Sequence, residues 1–388
     1  MSPHSTATKP AKPWSDFPLF PHATGRWAKK IRGKLHYFGP WDAPLDALDK
    51  YQRQRDDLHA GRKPRPEVDG IEVRDVANTF LDAKRRSVEA GELRESTFDS
   101  YHRVMATMVE QFGRRTVAES LRPDDFADLR ATIAKRYGPT ELARQIQVIR
   151  SAFKHAYDAE LIDKPIRFGP EFKRPQRRAM RKVRAERPRR FFEAEDLRKL
   201  IDGARVPHRA MILLGINCGW GQTDVANLED RHLDLQSGFA DFPRPKTLIE
   251  RQAVLWPETV DAIHDSLRQR PMPRDEEDVD LVFVTRKGRR FVRYQQREDG
   301  RGTWIDGVNL AFNKLQNKIE IKRQGVGFYA LRHTFQTIAE GAGDRAAVER
   351  IMGHENAGEM ANAYRERMER ARLQAVADHV HAWLWGAS

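Results

Sequence analysis

The feature that most constrains this chain is a proline-punctuated run of positive charge near its middle, where residues 164–190 hold 12 Lys and Arg against 2 Asp and Glu. Pro165, Pro170, Pro175 and Pro188 interrupt the run. Proline stops helices and like charges repel, so the stretch reads as a flexible, extended linker between separately folded parts. Residues 1–66 are also basic, with 13 Lys and Arg against 6 Asp and Glu. The formal net charge of the 388 residues is +13, so everything outside these two segments is slightly acidic. Charge concentrated in this way suits a segment lying along a phosphate backbone, because each neutralised phosphate releases counterions. Arg177, Arg178, Arg181, Lys182 and Arg184 are the linker residues singled out for that contact. The plainer alternative is a solvated spacer kept open by self-repulsion.

On the N-terminal side, residues 25–39 place two short aromatic and apolar runs around Arg32-Gly33-Lys34, a hairpin signal. Lys29, Lys30 and Arg32 alternate with Trp27, Ile31, Tyr37 and Phe38, which leaves a basic face for phosphates or simply for water. From Val73 to about Asp163 the apolar spacing is helical in four stretches, enough for a small bundle. In the last of these, Leu142, Ile146 and Ile149 share one face, and Arg144 and Arg150 are assigned to the other. Beyond the linker, helices are expected at 195–204, 207–217, 306–319, 331–341, 345–352 and 358–385. Hairpins are expected at 241–257, with Lys246 near the turn, and at 281–293. The expected fold class is therefore mainly α with small antiparallel β-sheets (α+β). No apolar run approaches the roughly 18 residues of a membrane span, residues 1–13 lack a signal-peptide core, and a single Cys218 excludes an internal disulfide framework or a cysteine-based zinc cluster. A cytoplasmic protein is expected.

The chemistry is concentrated near the C-terminus. Arg332 is a permanent planar cation whose donors match two phosphate oxygens. His354 can donate to a phosphoryl oxygen or move a proton near neutral pH. Tyr364 offers a phenol whose anion can attack phosphorus and later depart. Singly, each is an ordinary packing or helix-end residue.

Together, Leu331-Arg332-His333-Thr334, Met352-Gly353-His354-Glu355 and Tyr364 resemble the C-terminal signature of the tyrosine recombinase, or phage integrase, family. That signature usually reads His-x-Leu-Arg-His, then Leu-Gly-His, then a nucleophilic tyrosine. The resemblance implies a helical core-binding (SAM-like) domain at 70–163, the basic linker at 164–190, and a catalytic domain at 191–388 ending in a tail helix. The hairpin within 1–66 is similar to the arm-type DNA-binding sheet of many such proteins. The resemblance further implies that Arg332 is the second catalytic arginine, His354 the His/Trp position, Tyr364 the nucleophile, and Lys246 the acid for the leaving 5′ hydroxyl. Double-stranded DNA is the implied partner, with a nucleoid location, a homo-oligomer (a tetramer) formed on DNA through the C-terminal helix, and no metal or other cofactor.

Two positions depart from the pattern. The family's histidine ahead of the arginine is Tyr329, a hydrogen-bond donor but a poor acid or base at neutral pH. The first catalytic arginine of the Gly-Leu-Arg-x-x-Glu pattern is replaced by Gly221, within Gly219-Trp220-Gly221-Gln222-Thr223-Asp224. Losing one such donor costs about 10²- to 10³-fold in rate. Arg205, Arg209 and Arg231 lie near enough in sequence to stand in, as do the backbone amides of Gly221 and Gln222. The chain therefore reads first as a site-specific recombinase. The second reading is a cleavage-deficient relative acting as an accessory DNA-binding factor. A type IB topoisomerase-like enzyme is the third, and the N-terminal sheet fits it less well.

Overall fold

The computed structural model describes residues 9–61, 70–186, 188–296, 302–354 and 368–386, and the chain divides between Pro175 and Gln176 into two compact units. In the first, β1 (Phe20–His22), β2 (Arg26–Ile31) and β3 (Lys34–Pro40) form an antiparallel sheet in that order. β2 turns into β3 through Arg32 and Gly33, both left-handed at φ 47° and 81°. Helix α1 (Pro44–His59) covers one face, burying Trp27, Ile31 and Phe38 with its own Ala47, Tyr51 and Leu58. This helix was not expected, because its three buried positions are scattered among charged residues and give little periodic signal.

Four helices follow: α2 (Val73–Glu89), α3 (Glu95–Phe112), α4 (Pro123–Arg136) and α5 (Pro139–Asp158). α4 and α5 each begin on proline, which lacks the N–H that a first helical turn leaves unbonded anyway. Val76 and Phe80 on α2, Met108 on α3, Phe126 and Ile133 on α4, and Ile146 and Phe153 on α5 share one core.

That core extends into the stretch expected to be linker. Phe172 is fully buried, and the rings of Phe168 and Phe172 lie 4.8 and 5.3 Å from Phe126. Residues 164–175 thus close the bundle, because two aromatic rings outweigh the surrounding charge. The next stretch corrects the linker reading again. Residues Arg177–Glu186 form α6, a helix with no buried residue, as its Arg, Lys, Ala, Met and Glu content favours.

The second unit comprises α7 (Ala194–Gly203), α8 (His208–Asn217), α9 (Gln222–Ala226), β4 (Leu233–Asp234), β5 (Phe239–Asp241), β6 (Gln252–Val254), α10 (Pro257–Arg268), β7 (Val292–Gln296), β8 (Gly302–Asp306), α11 (Gly307–Lys318), α12 (Ala330–Ala339), α13 (Arg345–Met352) and α14 (Arg370–Trp385). Helix α8 is buried from Ala210 to Asn217 and forms the centre. Asn217 ends it with three bonds that tie it to its neighbours. Its Oδ1 accepts from Trp256 N (2.9 Å) and Thr259 Oγ1 (3.0 Å), and its Nδ2 donates to Val254 O (3.0 Å). β4, β5 and β6 make one antiparallel sheet, and β7 pairs with β8.

The second hairpin is therefore shifted from 281–293 to β7–β8. The apolar run 281–284 is a buried extended segment whose Val282 N donates to Leu228 O (2.8 Å), and Thr285–Arg289 is only a turn. Val376, Val380 and Leu384 are buried in the core of their own unit, and Trp256 Nε1 donates to Ala377 O (3.0 Å). The expected helical stretch 358–369 lies mostly outside the described residues.

Candidate phosphate-binding and strand-cleavage site

Three segments of the second unit meet around Arg332, which projects from α12 and is 2% exposed. Its Nη1 donates to Gly219 O (2.7 Å), and its Nη2 donates to Met352 O (2.8 Å). The same Nη2 lies 2.7 Å from Nε2 of His354. A guanidinium has only protons to offer, so this Nε2 accepts and the neutral ring carries its hydrogen on Nδ1. Burial, reinforced by the Arg332 and Arg244 charges, pushes the His354 imidazole down to about 4. At neutral pH it is an uncharged hydrogen-bonding group. Burial also lowers Arg332, with Arg244 adding to that effect, while the Tyr329 phenol and Asp224 oppose it.

His354 reaches this position because α13 ends on Gly353 in the left-handed region at φ 63°, with the amide of His354 turned back onto Glu349 O (3.1 Å). A Cβ on residue 353 would meet Arg251 Cδ at 3.0 Å and Arg244 Cβ at 3.3 Å, so glycine is needed for both conformation and space.

Those two arginines come from the arm between β5 and β6, and the sequence reading missed both. Arg244 is half-buried, and its Nη1 donates to Gly353 O (3.3 Å), next to the carbonyl that Arg332 holds. Arg251 is fully buried with its guanidinium between the rings of Trp220 (4.9 Å) and Phe242 (4.7 Å), and 3.4 Å from Asp224 Oδ2. Its Nε donates to Phe242 O (2.9 Å), and burial pushes the group down to about 10, still charged at neutral pH. Arg251 directly precedes the buried run Ala253–Trp256, and no period in that run marks it as buried.

The two departures from the family pattern prove to be one. A Cβ on Gly221 would lie 3.2 Å from two ring carbons of Tyr329 and 3.4 Å from Asp224 Oδ2. The Tyr329 ring thus stands where a side chain from position 221 would leave the backbone. The amide of Gly221 donates to Asp224 Oδ2 (2.8 Å), so the idea that this amide is held ready for a phosphate is not supported. Of the other suggested substitutes, Arg231 pairs with Glu229 (2.6 Å), and Arg205 and Arg209 are exposed around His208. None of the three contacts Arg332.

Of the residues expected at this site, Arg332, His354 and Tyr329 are brought together. Lys246 is exposed on a turn in which the amides of Thr247 and Leu248 donate to Arg244 O (3.1 and 2.8 Å). Tyr364 lies outside the described residues. The expected phosphate contacts are mixed. Arg177, Arg178, Arg181, Lys182 and Arg184 are all exposed on α6, and Lys30 is exposed on β2. Lys29 instead lies over the Tyr51 ring (4.7 Å), and Arg32 Nη1 donates to His59 O at the end of α1 (3.2 Å). Arg150 is exposed on α5 as expected, and it also stacks on Phe168 (4.5 Å) and donates to Phe172 O (3.2 Å). Arg144 is held by Glu141 (2.8 Å).

The chain resembles the Tn1549 transposon integrase in complex with a circular intermediate DNA, with a TM-score of 0.56 and 15% identity over 80% of this chain and 99% of that one. It also resembles a lambda integrase tetramer bound to a Holliday junction, with a TM-score of 0.55 and 12% identity over 91% and 98%. At such identities these likenesses establish the fold. No curated protein sequence matches. Residues 190–370 match the model of the phage integrase family, so the second unit carries a phage integrase, or tyrosine recombinase, family domain.

Proposed function

We propose that the protein is a site-specific DNA recombinase that cuts and rejoins strands through a 3′-phosphotyrosyl intermediate. The observation that supports this most is the fixed pair of Arg332 and neutral His354, with further positive charge from Arg244 beside it. In the proposed step the phenol of Tyr364 gives up its proton to solvent, its oxygen attacks the scissile phosphorus, and the bond from phosphorus to the 5′ oxygen breaks. Lys246 supplies the proton that leaves with that oxygen. Rejoining reverses the step, because the phosphotyrosyl bond retains the phosphodiester's energy. Arg332 offsets charge growing on the non-bridging oxygens, and His354, being uncharged, contributes hydrogen bonding. Exposed α6 and Lys30 are the surfaces we assign to the DNA backbone. Assembly into a tetramer on DNA is assigned to the C-terminal helix, α14.

The test is a nicked suicide duplex recovered from a randomised pool by the full-length protein. Wild type should form a covalent complex and Tyr364→Phe should form none. Equal trapping by both would remove Tyr364 from this role. The cleavage-deficient reading is favoured by one observation, the Tyr329 ring occupying the path of the missing arginine. It predicts tight DNA binding with neither nicking nor covalent complex.

A further inference from the structure

Among the described residues the site has an unbalanced charge. Three guanidinium groups, Arg244, Arg251 and Arg332, gather where the nearby carboxylate is Asp224. That carboxylate lies 3.4 Å from Arg251 and is also hydrogen-bonded to the Gly221 amide. Arg244 and Arg332 grip the carbonyls of successive residues, Gly353 and Met352, at the end of α13. Like charges brought this close repel unless an anion joins them. Among these groups Arg332 is 2% exposed and Arg251 0% exposed, whereas Arg244 is only half-buried and uses Nη1 for a long, 3.3 Å, bond. A guanidinium carries five N–H donors, so that bond leaves most of its fork uncommitted to Gly353.

From this geometry we infer that Arg244 is the second phosphate-clamping arginine, delivered from the β5–β6 arm to replace the side chain that Gly221 cannot supply. Arg251 is its positioning residue. Packed between Trp220 and Phe242, it backs the same Gly353 turn that Arg244 grips. The arm therefore carries both a charge for the non-bridging oxygens and, two residues on, Lys246 for the leaving oxygen. Tyr329 fills the space by Gly221, which explains why the charge has to arrive from the other side. This inference rests on the cleavage reading above.

The experiment compares two synthetic duplexes of the selected sequence, one with the ordinary scissile phosphodiester and one with a neutral methylphosphonate there. An arginine that offsets phosphate charge is needed on the first and largely dispensable on the second. Arg244→Ala should lower the rate of covalent complex formation by about 10²- to 10³-fold on the phosphodiester and by less than about tenfold on the methylphosphonate. Arg244→Lys, which keeps the charge and loses the fork, should fall between wild type and Arg244→Ala on the phosphodiester. Equal loss on both duplexes would assign Arg244 to capping α13 alone, and no loss on the phosphodiester would remove it from the site. Either result overturns the inference. Failure of wild type itself to form a complex on either duplex would overturn the cleavage reading and this inference with it, a result distinguishable from the other two.

Discussion

The two sides of the site are built from different kinds of sequence. Arg332 and His354 come from α12 and the end of α13, close in the chain and joined by a direct 2.7 Å contact. Arg244 and Arg251 come from the β5–β6 arm and reach the same turn across about a hundred residues of chain. The first side is a local motif whose spacing alone brings its groups together. The second exists only once the sheet, α9 and α13 have folded. The local half keeps Arg332 and His354 in contact, while Tyr329 stands against Gly221, where the family pattern has an arginine.

The largest expected effect comes from the local side. Arg332→Ala should lower covalent complex formation by at least about 10³-fold, and should also lower the denaturation midpoint, since the carbonyls of Gly219 and Met352 lose their donor. Trapping within tenfold of wild type would show that the motif is not where the chemistry lies. On the other side, Arg251→Met should cost about 3–5 kcal/mol in urea denaturation, because it takes from buried Asp224 the cation paired with it. Adding Asp224→Asn to the same chain should recover part of that loss. If the double variant is no better than the single, the two groups are not coupled.

Gly221→Arg sharpens the comparison directly. Restoring the family's residue should not speed cleavage, and should cost about 1–3 kcal/mol of stability by overpacking against the Tyr329 ring. Combining it with Tyr329→His should relieve the clash and raise the cleavage rate above that of Gly221→Arg alone. A faster single variant would mean that the tyrosine does not occupy that path.

The smallest effect is on pH. The folded-state His354 lies at about 4 against an ordinary 6.5, and burial also lowers His208, His232 and His333. Between those values the unfolded chain takes up a proton that the folded chain refuses, so this contribution is intact above pH 6.5 and is lost as pH falls towards 4. The melting temperature should fall across that window, and less so in His354→Gln. A His354→Gln melting profile identical to that of wild type would show that the imidazole is not held neutral.

Much of the fold was legible because helices with regular apolar spacing announce themselves: α13 runs over Arg345–Met352 as read, and α8 and α11 differ by a residue at either end. What was not legible follows from weak or competing signals. The buried positions of α1 are too widely spaced among charges to show a period. Phe168 and Phe172 sit in a run whose charge hides that they close the bundle. In the site, Arg332 and His354 could be read from a motif, whereas Arg244 looked like one more cation near a turn. Its role depends on Gly353 adopting the left-handed conformation and lying against it, which no local pattern encodes.

The most direct test of the account is the chemical identity of the covalent link. After trapping on the suicide duplex, trypsin releases Ile351–Arg365, a peptide that carries both His354 and Tyr364. Mass spectrometry should find the nucleotide on Tyr364 through its phenolic oxygen, with its 3′ end joined. A nucleotide on any other residue, or a complex that dissociates on denaturation and leaves this peptide unmodified, would contradict it.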